Sequence, residues 1–171
     1  MALIKHRKLA PDSWQLLEPD ADGTLRSVPA EGDVIVPFSV WETQRAELIA
    51  RSGQLGVWLA GNEDPVRIAG DLQHFVLVAV KFPALPDGRG YSIGRLLRER
   101  YRWDGELRAI GDIQRDQLYY LARCGFDAYV LRAGENIESA LAAFDDFSEA
   151  YQAAVDRPVP LFRRREAAAS S

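Results

Sequence analysis

Short apolar runs alternate along this chain with segments that have the periodicity of helices. The runs are DVIVPF, LGVWLAG, HFVLVAVKF, ELRAI and DAYVL, between Asp33 and Leu131. Parallel strands cannot be joined by a tight turn, so this order is typical of a mainly parallel sheet with crossover helices. We therefore predict an α/β fold of about five strand–helix units, arranged as an open three-layer sandwich or as a partial barrel. HFVLVAVKF is long and apolar enough for a central strand.

The length of 171 residues falls within the size range of one domain. We assign residues 1–157 to a single α/β domain, in which the strand–helix units occupy residues 33–155. Residues 158–171 have little apolar periodicity, which predicts a flexible C-terminal tail.

Turn and capping residues predict where several elements begin. Two alternating runs, Trp14–Leu17 and Thr24–Val28, flank an Asp-Gly pair and predict an N-terminal β-hairpin within residues 12–30. Ser39 and Glu42 have the spacing of a capping box, which predicts that a helix starts there, directly after the first strand of the strand–helix series.

Charge and residue composition limit the classes of partner. The formal net charge of −4 gives no general attraction to nucleic acid or to an anionic membrane, and no apolar run is long enough to cross a bilayer. The excess of 18 arginines over 3 lysines favours bidentate contacts with carboxylate or phosphate groups. We therefore expect neither a nucleic-acid polymer nor a membrane as a partner. The single cysteine, Cys124, favours a reducing, cytoplasmic location.

The chain has few residues of the types that bind metals and redox centres. Cys124 is the single cysteine, and His6 and His74 are the two histidines. This set cannot form an internal disulfide, a cysteine redox pair or a four-thiolate cluster. We predict no metal and no cofactor. Cys124 precedes Gly125, and this order is typical of a small buried side chain at the end of a helix.

The stretch DGRGYS lies between the third strand and the next helix. Ligand sites in parallel α/β folds form at the carboxyl ends of strands, where helix N-termini attract anions. We predict an anion-binding site made of Gly88, Arg89, Gly90, Tyr91 and Ser92. Three further residues, from this junction and the next one, are predicted to orient the ligand: Asp87, Asp112 and Arg115.

The same residues are also typical of purely structural roles and of a nucleotide site. Ser92 and Asp112 are each well placed as the N-cap of a helix, and the glycines are suited to a turn. In addition, GRGYSIG followed by Asp112 has the order of a dinucleotide-binding loop, although its spacing is Gly-x-Gly-x-x-x-Gly instead of Gly-x-Gly-x-x-Gly. A nucleotide site in the Gly88–Gly94 loop is therefore an alternative.

The segment DGRGYSIGRLLRERYRWDGELRAIGDIQRDQLYYLARCGFDAYVL, Asp87–Leu131, resembles the bacterial family known as domain of unknown function 934. DVIVPFSVW and LGVWLAGNED extend the resemblance more weakly. Members of this family are commonly encoded beside assimilatory sulfite reductase and are described as oxidoreductases of sulfite reduction. The resemblance therefore implies a pathway, and it brings no catalytic residues with it.

Two hypotheses about function follow, and they leave open whether the protein is catalytic. The first is an accessory protein of assimilatory sulfite reduction that binds a small anion, a nucleotide or the sulfite reductase complex, because the chain offers few ligands for redox centres. The alternative is an NAD(P)-dependent oxidoreductase of the same pathway. We also predict a homodimer, because Trp41, Trp58 and Trp103 exceed what the short helices need for a core.

Overall fold

The computed structural model describes residues 1–19, 27–83, 88–146 and 152–164. Within them the strands form one eight-stranded sheet. In chain order the strands are β1 Ala2–Lys5, β2 Lys8–Ala10, β3 Gln15–Leu16, β4 Val34–Pro37, β5 Leu55–Ala60, β6 Leu77–Phe82, β7 Glu106–Ile113 and β8 Ala128–Leu131. The α-helices with defined bounds are α1 Phe38–Ala50, α2 Arg89–Glu99, α3 Leu118–Arg123 and α4 Ile137–Ala142. Short 3-10 helices occur at Pro65–Ile68, Leu72–His74, Arg115–Gln117 and Ala143–Asp145.

The strands are arranged in the order β2-β1-β8-β7-β6-β5-β4-β3, and the sheet curls into a half-barrel. From β3 to β8 each strand is parallel to its neighbour, whereas β1 is antiparallel to both β8 and β2. The mainly parallel α/β prediction is therefore confirmed, with an antiparallel addition at the N-terminus. The connection from β5 to β6 departs from a regular unit, because it contains two 3-10 helices in place of an α-helix.

Alternate residues of the strands pack on opposite faces of the sheet, as the period of two requires. On one face, which we call the helix face, strand residues such as Val57 and Val80 pack in one cluster with residues of all four α-helices. On the other, which we call the second face, Ile35, Leu77 and Ile110 belong to a smaller apolar cluster. A half-barrel with helices on one face agrees with the second of the two predicted arrangements.

A strap formed by residues 11–18 lies against the second face. Trp14 packs on the apolar cluster there, and the indole Nε1 of Trp58 donates a hydrogen bond of 2.9 Å to the carbonyl of Leu17. The strap also supplies two carboxylates to cations of the sheet, Asp12 to Arg108 at 3.0 Å and Glu18 to Lys81 at 2.6 Å. It therefore covers surface that the helices leave open.

An ionic network fixes one end of the strap. The Arg108 side chain is only 2% exposed, and its Nε donates to Glu106 at 2.7 Å while Nη1 donates to Asp12 at 3.0 Å. Lys5 on β1 reaches Glu106 at 2.7 Å, passing Ala128, whose side chain is small. Since a buried guanidinium is tolerated only when it is paired and hydrogen-bonded, these contacts explain how Arg108 can lie inside the fold.

Two local predictions for the N-terminal part are wrong. The strand of Gln15–Leu16 pairs in parallel with β4 and not with a following hairpin arm, while most of the predicted second arm, residues 24–26, lies outside the described residues. The N-terminal hairpin occurs earlier, between β1 and β2. The capping box of Ser39 and Glu42 is not formed either, because α1 follows β4 directly, with Pro37 at its N-cap.

The tryptophans that suggested a homodimer are accounted for within one chain. Trp41, Trp58 and Trp103 are 1%, 8% and 8% exposed. They belong to the core, so they no longer support an interface, and the oligomeric state stays a prediction. Among the described residues, no helix combines the length and the apolar character that crossing a bilayer requires.

We predict that Arg108→Ala lowers the free energy of unfolding by about 3 kcal/mol, because it removes one of the two cationic partners of the buried Glu106 carboxylate and releases one end of the strap. Urea unfolding followed by circular dichroism measures the change. Arg95→Ala is the control, because Arg95 is 60% exposed and pairs with Glu99 on the same helix; we expect about 0.5 kcal/mol or less for it. Equal effects of the two substitutions would contradict a structural role of the buried network.

Candidate functional site

The parallel strands β4 to β8 end at one edge of the sheet, which we call the carboxyl edge. This is where loops and helix N-termini converge in parallel α/β folds. The structure places most of the predicted site residues here, but it does not bring them together as one pocket. It also places charged residues here that the sequence did not single out, namely Glu18, Lys81 and Arg132.

The stretch DGRGYS forms the first turn of a helix and not a loop. Helix α2 begins at Arg89, with Gly88 as its N-cap, and Asp87 lies outside the described residues. Because successive helical residues point about 100° apart, neighbouring side chains cannot all face one ligand. Gly88, Arg89 and Ser92 are exposed, whereas Gly90 is buried and Tyr91 is half-buried. Ser92 lies inside the helix, so its predicted role as an N-cap is wrong.

Two glycines of α2 allow the helix to pack closely against aromatic rings. A Cβ atom on Gly90 would lie 2.4 Å from the Phe82 ring, and one on Gly94 would lie 2.3 Å from the Phe126 ring. Gly88 differs, because a Cβ atom there would have no neighbour within 4 Å. Packing against aromatic rings therefore explains Gly90 and Gly94. Gly88 is the glycine of the three at which a side chain would meet no obstacle.

Tyr91 belongs to this aromatic contact. Its ring meets the Phe82 ring edge-on, with centroids 5.4 Å apart, and Phe82 meets Phe126 in the same manner at 5.9 Å. Burial raises the pKa of the Tyr91 hydroxyl, an effect that the neighbouring Gln117 side chain opposes. Tyr91 therefore stays protonated at neutral pH and acts as a core residue of α2.

Asp112 and Arg115 have different partners from those expected. Strand β7 continues to Ile113, and its register with β8 shifts between Ala109 and Ile113, where Gly111 has a φ of +102°. Asp112 therefore lies in the strand, and its predicted N-cap role is wrong. The Asp112 carboxylate contacts Arg132 at 3.4 Å and accepts a hydrogen bond from Gln114 at 3.2 Å. The following helical turn has Gln114 as its cap.

The Arg115 side chain contacts α4 and the residue that follows the 3-10 helix after it. Its Nη2 pairs with Asp146 at 2.7 Å, and its Nε donates to the Ser139 carbonyl at 3.2 Å. These contacts fasten α4 and the 3-10 helix after it to the body of the domain. The contacts of Arg115 therefore stabilise the fold, and no ligand is needed to explain an arginine at this position.

Lys81 is the residue of this edge that sequence reasoning missed. It alternates with Leu77 and Ala79 along β6, so its side chain lies on the second face, where it is 31% exposed. The Nζ atom lies 5.1 Å from the centre of the Trp58 ring and 2.6 Å from Glu18. The signal was present in HFVLVAVKF, where a single lysine interrupts an apolar run at an alternating position.

Several cavities of the described residues lie away from this edge. One of about 530 Å³ lies at the amino ends of β4 and β5, beside Glu47 and Arg51. The Arg51 guanidinium is already used there, because it donates to the carbonyls of Pro29, Gly32 and Gln54. A cavity of about 290 Å³ lies near the end of α2, and one of about 250 Å³ lies beside the turn between β1 and β2.

Cys124 lies at the end of a helix, as the sequence predicted, but it is only partly buried. It is half-buried and follows α3 directly, and Gly125 has a φ of +96°, which is typical of the residue that ends a helix. Burial raises the pKa of the Cys124 thiol, although Arg95 and Arg123 oppose the effect. A thiol with a raised pKa is a poor nucleophile at neutral pH.

A family model described as "Bacterial protein of unknown function (DUF934)" matches residues 56–162, which is more than half of the chain. The chain belongs to this family. Within this DUF934 protein, the match covers nearly all of β5 together with β6, β7, β8 and α2, and so includes the predicted anion site. Comparisons with curated proteins and with solved structures found no match. The family prediction is confirmed, and the association with sulfite reduction stays a prediction.

For this DUF934 protein we predict that Gly90→Ala and Gly94→Ala each lower the free energy of unfolding by about 1–3 kcal/mol, because the buried rings of Phe82 and Phe126 leave no room for a methyl group. Gly88→Ala is the matched control, and we expect a change of about 0.5 kcal/mol or less. Urea unfolding compares the three variants. Similar values for all three would show that close packing does not explain these glycines.

Proposed function

We propose that this protein is an accessory protein of assimilatory sulfite reduction that binds a small oxyanion at the N-terminus of α2. The pathway is what the resemblance to the family implies. The chemistry rests on one observation at the carboxyl edge of the sheet: α2 begins there with a glycine N-cap that is open to solvent.

The start of α2 offers two favourable interactions to an anion. Backbone N–H groups in the first turn of a helix lack the usual helical partner, and the helix dipole adds a partial positive charge. In α2 the Tyr91 N–H donates to the Gly88 carbonyl at 3.3 Å, so the N–H groups before it are the ones that we assign to the anion. The absence of a side chain at Gly88 lets an oxyanion approach these groups closely. Arg89 is exposed in the same turn and carries a guanidinium that donates a fork of hydrogen bonds. Sulfite and sulfate both have oxygens that accept such bonds.

Two other cations lie at the carboxyl edge. Lys81 is paired with Glu18, and Arg132 is paired with both Asp112 and Glu135. Neither of them belongs to α2. We select Arg89 for the test because it lies in the first turn of α2, beside the proposed site.

The NAD(P)-dependent alternative has weaker support from the glycines. A dinucleotide-binding loop needs glycines where the backbone approaches the pyrophosphate. Gly90 and Gly94 face the rings of Phe82 and Phe126, which leaves Gly88 for that purpose. Thermal unfolding in the presence of NADH or NADPH tests the alternative, since a ligand at 100 times its dissociation constant stabilises a protein by about 2.7 kcal/mol.

We expect sulfate and sulfite to bind in calorimetric titrations at low ionic strength, and we expect Arg89→Ala to weaken this binding by about tenfold or more, as for a charge-assisted hydrogen bond. Arg95→Ala is the matched control, because Arg95 is exposed on the same helix but lies beyond its first turn. An affinity that is unchanged in Arg89→Ala would reject the site.

The pathway is tested separately in the cell. We expect deletion of the gene to slow growth on sulfate as the sole sulfur source and not on cysteine, and we expect the purified protein to co-elute with the sulfite reductase of the same organism or to change its turnover. Normal growth on sulfate together with no effect on the reductase would reject the accessory role, whatever the anion titrations give.

A further inference from the structure

A cavity of about 250 Å³ lies at the amino edge of the sheet, opposite to the carboxyl edge. It is lined by the turn between β1 and β2, by α3 and by residues after α4. The turn is placed there by β1, since Lys5 pairs with Ala128 at the start of β8 and the next residue, His6, donates to the carbonyl of Asp127. This cavity is therefore separate from the proposed oxyanion site at the start of α2.

The cavity contains side chains of both charges, paired at long distances. Arg7 Nη1 lies 3.5 Å from Asp145, and Arg123 Nη1 lies 3.6 Å from Asp156. Charge-assisted hydrogen bonds are typically about 2.7–2.9 Å long, so these pairs leave much of the donor and acceptor capacity of both partners unused. Arg123 is nevertheless fixed in position, because its Nη2 donates to the carbonyl of Gln152 at 2.6 Å.

A third arginine, Arg157, and two aromatic rings complete the lining. The Arg7 guanidinium lies 5.5 Å from the centre of the Phe144 ring, and that of Arg123 lies 5.9 Å from the Tyr119 ring. Arg7 reaches this position from a left-handed backbone conformation, with φ of 61°, next to His6 with φ of 49°. Residues other than glycine adopt this conformation at a cost of about 1–2 kcal/mol. A two-residue hairpin turn between Lys5 and Lys8 requires positive φ at both central residues, so the turn itself fixes where Arg7 lies.

We infer that this cavity binds a free α-amino acid in its zwitterionic form. The carboxylate lies between Arg7 and Arg123, where two guanidinium groups have donors to spare. The ammonium group lies against Asp145 and Asp156. A simple anion gains from the arginines but is repelled by the two aspartates, and a simple amine meets the opposite balance, so a molecule that carries both charges is bound best. The rings of Phe144 and Tyr119 provide the apolar surface for the rest of the ligand.

Calorimetry on the full chain tests this inference with L-alanine and L-leucine as probes. We expect at least one of them to bind with a dissociation constant below about 1 mM. Lactate has a carboxylate but no ammonium group, and ethylamine has an amine but no carboxylate; we expect each to bind at least tenfold more weakly. Lack of binding of both amino acids would overturn the inference, and equal binding of lactate would overturn the ligand class.

Two variants locate the site. We expect Arg7→Ala and Asp145→Asn each to weaken amino-acid binding at least fivefold, and both side chains are exposed enough for folding to be retained. Arg100→Ala is the matched control, because Arg100 is an exposed arginine that also lies over an aromatic ring, that of Tyr101, but does not line the cavity. Binding that is unaffected by both variants would overturn the placement. Sulfate titrations of Arg89→Ala report on the other site, so the two proposals fail independently.

Discussion

A mainly parallel sheet has to be covered on both faces, because its strands are apolar on both sides. In this protein the α-helices cover one face, and the strap of residues 11–18 lies on the other. Much of the remaining structure depends on this division. The strap is too short to bring a second core of its own, so it is held by one tryptophan packed on the sheet and by carboxylates at both of its ends. The charged residues on the second face, Arg108 and Lys81, are acceptable there because the strap neutralises them.

The strands were predictable from the sequence because burial on both faces leaves an unmistakable composition. DVIVPF, LGVWLAG and HFVLVAVKF each became a parallel strand, and HFVLVAVKF lies in the interior of the sheet. The strap was not predictable, because Asp12 and Glu18 acquire their partners only when β6 and β7 lie side by side. An alternating run with a turn after it has the pattern of a hairpin, and nothing local in Gln15–Leu16 indicates parallel pairing with β4.

The candidate site shows where local rules mislead. Two glycines and a serine are typical of a loop, yet α2 begins within this stretch, at Arg89. The contacts of Gly90 with Phe82 and of Gly94 with Phe126 compensate for the low helix propensity of glycine. As a result, α2 begins at Arg89, three residues before Ser92, which was predicted as its N-cap. Asp112 likewise has the composition of a helix cap, but the bulge at Gly111 carries the strand past it. The sequence did predict that a helix N-terminus follows the third strand of the strand–helix series at the carboxyl edge, and the exposed N-terminus of α2 lies there.

The N-terminal strand has a consequence for the order in which the chain can acquire its structure. β1 pairs with β8, so Ala2 lies opposite Leu131, and Asp12 of the strap is 96 residues away from its partner Arg108. During synthesis the hairpin of β1 and β2 is therefore made long before β8, and β1 lacks this partner until nearly all of the sheet has been made. The strands from β4 to β7 can assemble stepwise, each on the one before, whereas the first strand has to wait and closes the structure last. Until then the second face and the outer side of β8 are uncovered, and a nascent chain at this stage exposes the apolar surface on which a chaperone would act.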